Sequence, residues 1–206
     1  MNLSSSLVER AVEEFSRLPG IGKRTALRLV LHLLNQEESE ATSFGEAIIK
    51  LRKDIKYCEK CNNISDLDIC EICTDHNRDQ TIICVVEDIR DVMAIEHTQQ
   101  YPGVYHVLGG IINPMNGIGP GDLNINSLLN KFATDKIKEV ILALSSSMEG
   151  DTTSFYLYKK IEQYQVPVTI IARGIAVGDE LEFVDDVTLA RSIINRTPYE
   201  SVLTTK

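Results

Sequence analysis

Four of the five cysteines in this 206-residue chain, Cys58, Cys61, Cys70 and Cys73, fall within one short segment as two CxxC pairs separated by eight residues. Each pair closes a tight turn that presents two thiolates to one point, and two such pairs complete a tetrahedral site of the kind that holds Zn2+. The surrounding stretch, 57 to 79, is rich in Cys, Asn and Asp and too polar to build an ordinary core, so it needs a cross-link of this sort to fold. Four thiolates leave no open position for water or substrate, which makes the expected zinc structural rather than catalytic. A disulfide reading is disfavoured, because the chain is expected to stay in the reducing cytosol. Cys84, inside the run TIICVVE, reads as a small buried hydrophobe.

The segment before the cysteines has a different texture. Leu7, Val8, Ala11, Val12, Phe15 and Leu18 recur at the spacing of one helix face, with Ser4 to Ser6 offering capping hydroxyls, and the pattern runs to about Leu18. Pro19 and Gly20 stop it. A second periodic run, through Ala26, Leu27, Leu29, Val30, Leu33 and Leu34, follows at once, and a third helix is expected over about Ser43 to Ile55 with Phe44, Ala47, Ile48, Leu51 and Ile55 on one face. The link LPGIG is a glycine hairpin. Gly20 and Gly22 let the backbone bend with its amides exposed, and the N-terminus of the second helix, with its free N–H groups, begins there.

Charge sharpens this reading. The chain carries a net charge of −9, which argues against a uniformly polyanion-binding surface. The charge is uneven: residues 1 to 60 hold 10 Lys and Arg against 9 Asp and Glu, a net of +1, and the remainder holds 11 against 21, a net of −10. Phe15 to Gln36 contains Arg17, Lys23, Arg24 and Arg28 and no acid. Arg24 and Arg28 lie one helical turn apart and are placed to flank a phosphate. Gly20, Gly22, Lys23, Arg24 and Arg28 therefore form a candidate nucleic-acid site whose contacts go to the backbone, making binding sequence-independent and salt-sensitive.

Beyond the cysteines, short β-branched runs alternate with helical ones. TIICVVE, YHVLGG, VILALS and VTIIAR read as strands. Ile89 to Glu96, Asn126 to Phe132, Thr153 to Tyr164 and Leu189 to Ile194 read as helices, and 109 to 122 reads as a long loop. The alternation predicts a mostly parallel sheet with helices on both faces. No stretch is apolar over a membrane-spanning length and the start lacks a signal-peptide pattern, so a cytoplasmic protein is expected.

Acidic residues supply a third constellation. Glu87 ends one predicted strand, and Glu149 and Asp151 follow VILALS. Carboxylates at the C-terminal ends of parallel strands can hold Mg2+ or offer charge to a basic protein partner. LEFVDD has the look of a Walker B strand ending in Asp185 and Asp186, but no GxxxxGK[ST] loop precedes it. Those aspartates are expected to cap a helix or lie on the surface.

With these residues in hand, the chain resembles the bacterial recombination mediator family RecR over nearly its whole length. LPGIGKRTALR looks like the family's helix-hairpin-helix, Cys58 to Cys73 its four-cysteine finger, TIICVVE, YHVLGG and GIGPGDL its Toprim domain, and ARGIAVGDELEFVDDVTL its C-terminal signature. The resemblance implies an α+β multi-module chain: a helix-hairpin-helix over 1–56, a four-cysteine zinc finger over 57–79, a Toprim domain over 80–176 and a C-terminal tail with a Walker B-like segment and helix over 177–206. It also implies a non-enzymatic homo-oligomer, a dimer or tetrameric ring. Such an assembly clamps single- or double-stranded DNA and acts with RecO and RecF in recombinational DNA repair to load recombinase on single strands. A nucleoid-associated protein is implied.

In the resemblance, Arg24 and Arg28 match the basic hairpin positions, and Glu87, Glu149 and Asp151 the Toprim acids. LALSSSMEGD departs from the family pattern, which has Asn and Pro before the acidic pair and Glu where Asp151 stands. The alternative is a Mg2+-dependent Toprim nuclease or topoisomerase-like enzyme. It would need a nucleophile or a metal-held water as well as the acids, and Toprim topoisomerases use a tyrosine from another domain. Zinc is expected to fix the joint between the basic module and the acidic sheet.

Overall fold

A computed structural model of the chain describes residues 5–200. It forms two compact units, one ending at Lys56 and the other beginning at Tyr57. In the first, helix α1 (Ser6–Ser16) and helix α2 (Lys23–Leu34) are joined by the hairpin. Ser5 is the α1 cap, accepting from the Val8 amide at 3.5 Å; Ser4 lies outside the described residues. Val12, Ala26 and Val30 form a small core with Val8, Ala11, Phe15, Ile21 and Leu27 around it. α1 ends two residues before Leu18, because the Leu18 amide already turns back onto the Phe15 carbonyl.

Helix α3 (Glu38–Asp54) starts earlier than the apolar pattern predicts. Its first turn carries Glu38 and Glu40, which suit the positive end of the helix dipole but are invisible to hydrophobic periodicity. No α3 residue is buried, and its apolar face, including Phe44, Ile48 and Leu51, stays exposed.

The second unit opens with a two-stranded knuckle, β1 (Lys56–Tyr57) and β2 (Ile64–Ser65), and a single helical turn, α4 (Glu71–Thr74). Then come β3 (Asp79–Val86), α5 (Ile89–His97), β4 (Gly103–Val107), α6 (Ile125–Thr134), β5 (Glu139–Ala143), α7 (Met148–Ile161), β6 (Val168–Ile170) and α8 (Asp186–Ile194). The four larger strands lie in the order β4-β3-β5-β6, all parallel, with Ile83 beside both Val104 and Val140. In β3, β4 and β5 side chains alternate between two covered faces, which is why these strands read as unbroken apolar runs, whereas Thr169 and Ile170 of the edge strand β6 are exposed. Ile83, Val85, Val104, Val140 and Leu142 pack with Leu128 of α6 and Leu157 and Ile161 of α7. Cys84, Val86, Tyr105, Val107 and Ala143 pack on the other face with Val92 of α5 and, at its margin, Ile72 of α4. Cys84 is thus a core residue, and burial pushes its thiol up to about 12.

Two features pin these layers. The Arg78 guanidinium donates to both oxygens of Glu96 and to the Gly103 carbonyl, and the Tyr105 hydroxyl donates to Glu96 at 2.7 Å, so α5 and β4 are tied by one network. Gly150 sits where a Cβ would meet the Ser145 carbonyl oxygen at 2.0 Å, so only glycine lets α7 start this close to the end of β5.

That glycine also hides the start of α7 from pattern reading. The helix begins at Met148, not Thr153, with Ser147 capping the Gly150 amide, and Glu149 and Asp151 lie in its first turn. Its last predicted residues, Glu162–Tyr164, form a separate 3-10 turn.

The Walker B-like reading of LEFVDD is corrected: Leu181–Phe183 is a 3-10 turn, not a strand. Asp185 caps α8 by accepting from the Thr188 amide at 2.9 Å. That cap starts α8 three residues before Leu189, and α6 extends one residue before Asn126 and two beyond Phe132 without a side-chain cap. Leu157 is wholly buried between α7 and the sheet, so Leu157→Ala should cost about 2–5 kcal/mol in urea denaturation.

Candidate functional site

The cysteine cluster is built by local turns. The Asn62 amide returns to the Cys58 carbonyl at 2.8 Å, with Asn62 in the left-handed region, and the Cys58 amide reaches the Asn63 carbonyl at 2.7 Å. The Cys73 amide reaches the Cys70 carbonyl at 3.1 Å, closing the second turn. All four thiols are buried, and their sulfurs lie within 4.8 Å of one another. A tetrahedral ion with Zn–S bonds of about 2.3 Å sets sulfurs about 3.8 Å apart. Cys61 Sγ and Cys70 Sγ stand 3.5 Å apart, close to that edge and far longer than a disulfide. The donor set therefore fits zinc. The Cys61 thiol bonded to Cys70 holds Cys70 well below the usual thiol range and is itself pushed up.

Within the second unit the knuckle is docked on β4 and α6. The Val107 amide of edge strand β4 donates to the Cys61 carbonyl at 2.8 Å, and Asn62 donates to Ser127 Oγ on α6 at 3.1 Å. Lys131, one turn beyond Ser127, lines with Cys73 a cavity of about 550 Å3 between the knuckle and α6. Burial pulls its ammonium down, opposed by Cys73, Cys61, Asp135 and Cys58. Behind it His106 is fully buried, its Nε2 2.8 Å from the Asn124 carbonyl and its Nδ1 without a partner. Neither His106 nor Lys131 carried a sequence signal beyond its residue type.

The hairpin is open. Gly20 has φ +79°, the left-handed region that favours glycine, whereas Gly22 has ordinary extended geometry. A Cβ on either would meet nothing within 4 Å. Gly22 caps α2 without a side-chain hydrogen bond, so the first amides of α2 face solvent uncapped. Lys23, Arg24 and Arg28 are exposed and make no ion pair among the described residues. Arg17, by contrast, is held by Glu14 at 3.0 Å, which removes it from the free basic set. Arg24 and Arg28 flank a shallow depression with Leu27, Leu31, His32 and Asn35.

The acids are differently placed. Glu87 follows β3 and is half-buried; burial raises its carboxyl, helped by Asp91 and Asp88. Asp151 is engaged by Arg173 at 2.7 Å, a partner that no sequence pattern announced. Among the described residues, the four cysteines are the one group of three or more His, Cys, Asp or Glu close enough to share an ion; Glu87, Glu149 and Asp151 do not form another.

A parallel Toprim-like sheet, a four-cysteine knuckle and a helix hairpin together define a multi-module protein of the kind found in DNA recombination. Family models match in the same order: a RecR helix-hairpin-helix over residues 8–51, a RecR four-cysteine zinc finger domain over 55–75, a Toprim domain over 81–172 and a RecR C-terminal segment over 174–197. Proteins named Recombination protein RecR are similar along nearly the whole chain. That of Bacteroides fragilis is 58% identical over 95% of both chains, and that of Flavobacterium johnsoniae 58% identical over 97% of both. The protein of Cytophaga hutchinsonii is 57% identical over 98% of both. The chain belongs to the RecR family. No helix among the described residues is long and apolar enough to cross a membrane.

Burial, with Lys131 nearby, pushes His106 down to about 3. Its folded value lies below its unfolded value of about 6.5, so the neutral ring favours folding fully above pH 6.5, and this contribution is lost as pH falls toward 3. His106→Gln, which retains an N–H for the Asn124 carbonyl, should fall less steeply with acid than the parent in urea titrations between pH 7 and pH 4.

Proposed function

We propose that this chain is a non-enzymatic recombination mediator in DNA repair that holds DNA by its backbone. It acts as a homo-oligomeric clamp with RecO and RecF to load recombinase on single-stranded DNA. The observation that carries the reading is the hairpin: uncapped α2 amides beside three exposed, unpaired cations, in a chain of the RecR family. Gly22 adds a specific argument. Its φ and the open space around it would accept a side chain, so glycine is not required there by the fold. What it leaves uncovered is the backbone that a phosphate would approach. Gly20, Gly22, Lys23, Arg24 and Arg28 are accordingly the DNA-contacting set, serving single- and double-stranded DNA alike.

Cys58, Cys61, Cys70 and Cys73 hold a structural zinc, which supplies folding free energy to a segment with little apolar core. Glu87, Glu149 and Asp151 serve a basic protein partner rather than Mg2+. What supports this reading is that, among the described residues, these three acids do not form a group close enough to share one ion. The working modules follow the limits 1–56, 57–79, 80–176 and 177–206.

Double replacement of Arg24 and Arg28 by Ala should weaken binding to unrelated DNA sequences about equally. It should also flatten the plot of log affinity against log salt by about 2. Sequence-dependent loss, or an unchanged salt slope, counts against the clamp reading. Mg2+-dependent cleavage of supercoiled DNA by pure protein, abolished by Glu87→Ala, would replace it with the enzymatic one. Glu149→Lys should retain zinc and bare DNA binding but lose association with RecO in a pull-down.

A further inference from the structure

A zinc ion held by four thiolates keeps a net negative charge, and here that charge is out of water: the cysteines are 0%, 1%, 5% and 6% exposed. Buried charge is tolerated where an opposite charge or hydrogen bonds offset it. The Cys70 amide, 3.3 Å from Cys58 Sγ, provides one such hydrogen bond. The remaining compensation has to come from what packs on the cluster.

We propose that Lys131 is the counter-cation of the zinc tetrathiolate, a positioning residue whose ammonium stabilises the charged cluster from α6. The inference rests on the zinc reading above. Three observations carry it. Ser127 and Lys131 lie four residues apart on one face of α6, and Ser127 is hydrogen-bonded to Asn62 in the turn between Cys61 and Asn63, so that face is fixed against the knuckle. Lys131 and Cys73 line the same cavity. Burial is the larger effect on Lys131 and pulls its ammonium down, and Cys73, Cys61, Asp135 and Cys58 act against it to keep the charge.

Lysines normally keep the ammonium in water while burying the stem. Lys131 makes no ion pair within 4 Å among the described residues and yet is partly withdrawn from solvent. Delocalised negative charge on the sulfurs is the feature that accounts for that placement. Asp135, one turn further on, is the competing explanation, as it also acts on Lys131. Asp135 is exposed, however, and a charge in water attracts weakly. Lys60 and Lys136, which line the same cavity, are exposed as well, so water screens their charge more than that of Lys131.

The test is zinc competition with a chromogenic chelator, using full-length zinc-loaded protein. Lys131→Met, which keeps the stem, should lose zinc about tenfold more readily than the parent, and Lys131→Glu more readily still. Lys131→Arg and Asp135→Asn should behave as the parent. Alkylation of the cluster by iodoacetamide should also be faster in Lys131→Met, because uncompensated thiolates are more nucleophilic. A structural role of the stem alone would leave that rate unchanged. If Lys131→Met fails to fold, Lys131→Gln takes its place in both assays. Zinc retention in the neutral variants within twofold of the parent overturns the proposal, as does an Asp135→Asn effect equal to theirs. A parent protein that carries no zinc by metal analysis overturns the zinc reading itself, and the two failures are told apart by that measurement.

Discussion

The hydrogen bond from the Val107 amide to the Cys61 carbonyl joins two parts of the second unit, neither of which is complete without the other. β4 is an edge strand, and an uncovered edge exposes a row of backbone donors and acceptors to any other chain. The knuckle lies against that edge. In turn the knuckle has almost no apolar interior: its buried residues are the cysteines and the polar Asn63, with Ile69 and Ile72 partly buried beside the cysteines. Ile72, between Cys70 and Cys73, also packs at the margin of the core on one sheet face. The same four-residue turn thus closes the metal site and completes a hydrophobic layer. The cysteine cluster and the sheet core share Ile72, and Arg78 ties α5 to β4.

Sheet burial explains where the acids end up. Because both faces are covered, register is fixed by side chains on each strand, and the parallel order places every strand's C-terminal end on one side. Glu87 follows β3, and the short passage from β5 through Ser147 delivers Glu149 and Asp151 in the first turn of α7. Gly150 permits this tight passage. The result is a set of carboxylates at the end of the sheet where ligands of α/β folds are usually met. Arg173, following β6, already answers Asp151.

Much of this was legible in residue order. The two CxxC pairs gave the cluster, apolar runs gave every strand of the larger sheet, and Pro19 with Gly20 gave the hairpin. The misses have physical causes. Helix starts at Glu38 and Met148 lie in exposed or glycine-containing turns, where caps and dipole charges decide and periodicity is silent. LEFVDD has the composition of a strand end, but its residues are solvent-facing and a cap at Asp185 takes over. Long-range partners such as Arg173 with Asp151, Arg78 with Glu96 and Ser127 with Asn62 depend on which elements meet, and no local pattern carries that information. The nearer pair of Arg17 and Glu14 could have been read from spacing, and it trims the basic stretch to Lys23, Arg24 and Arg28.

The knuckle's place also bears on the expected zinc. Sequence reading assigns it to a joint between a basic and an acidic module. The boundary between the compact units falls just before it, at Lys56 and Tyr57, and its hydrogen bonds run to β4 and α6. The hairpin has a core of its own, built from Val12, Ala26 and Val30, and draws on no thiolate to hold Gly20 and Gly22 in place. The backbone of the hairpin and the cysteine cluster are therefore each set by contacts within their own unit.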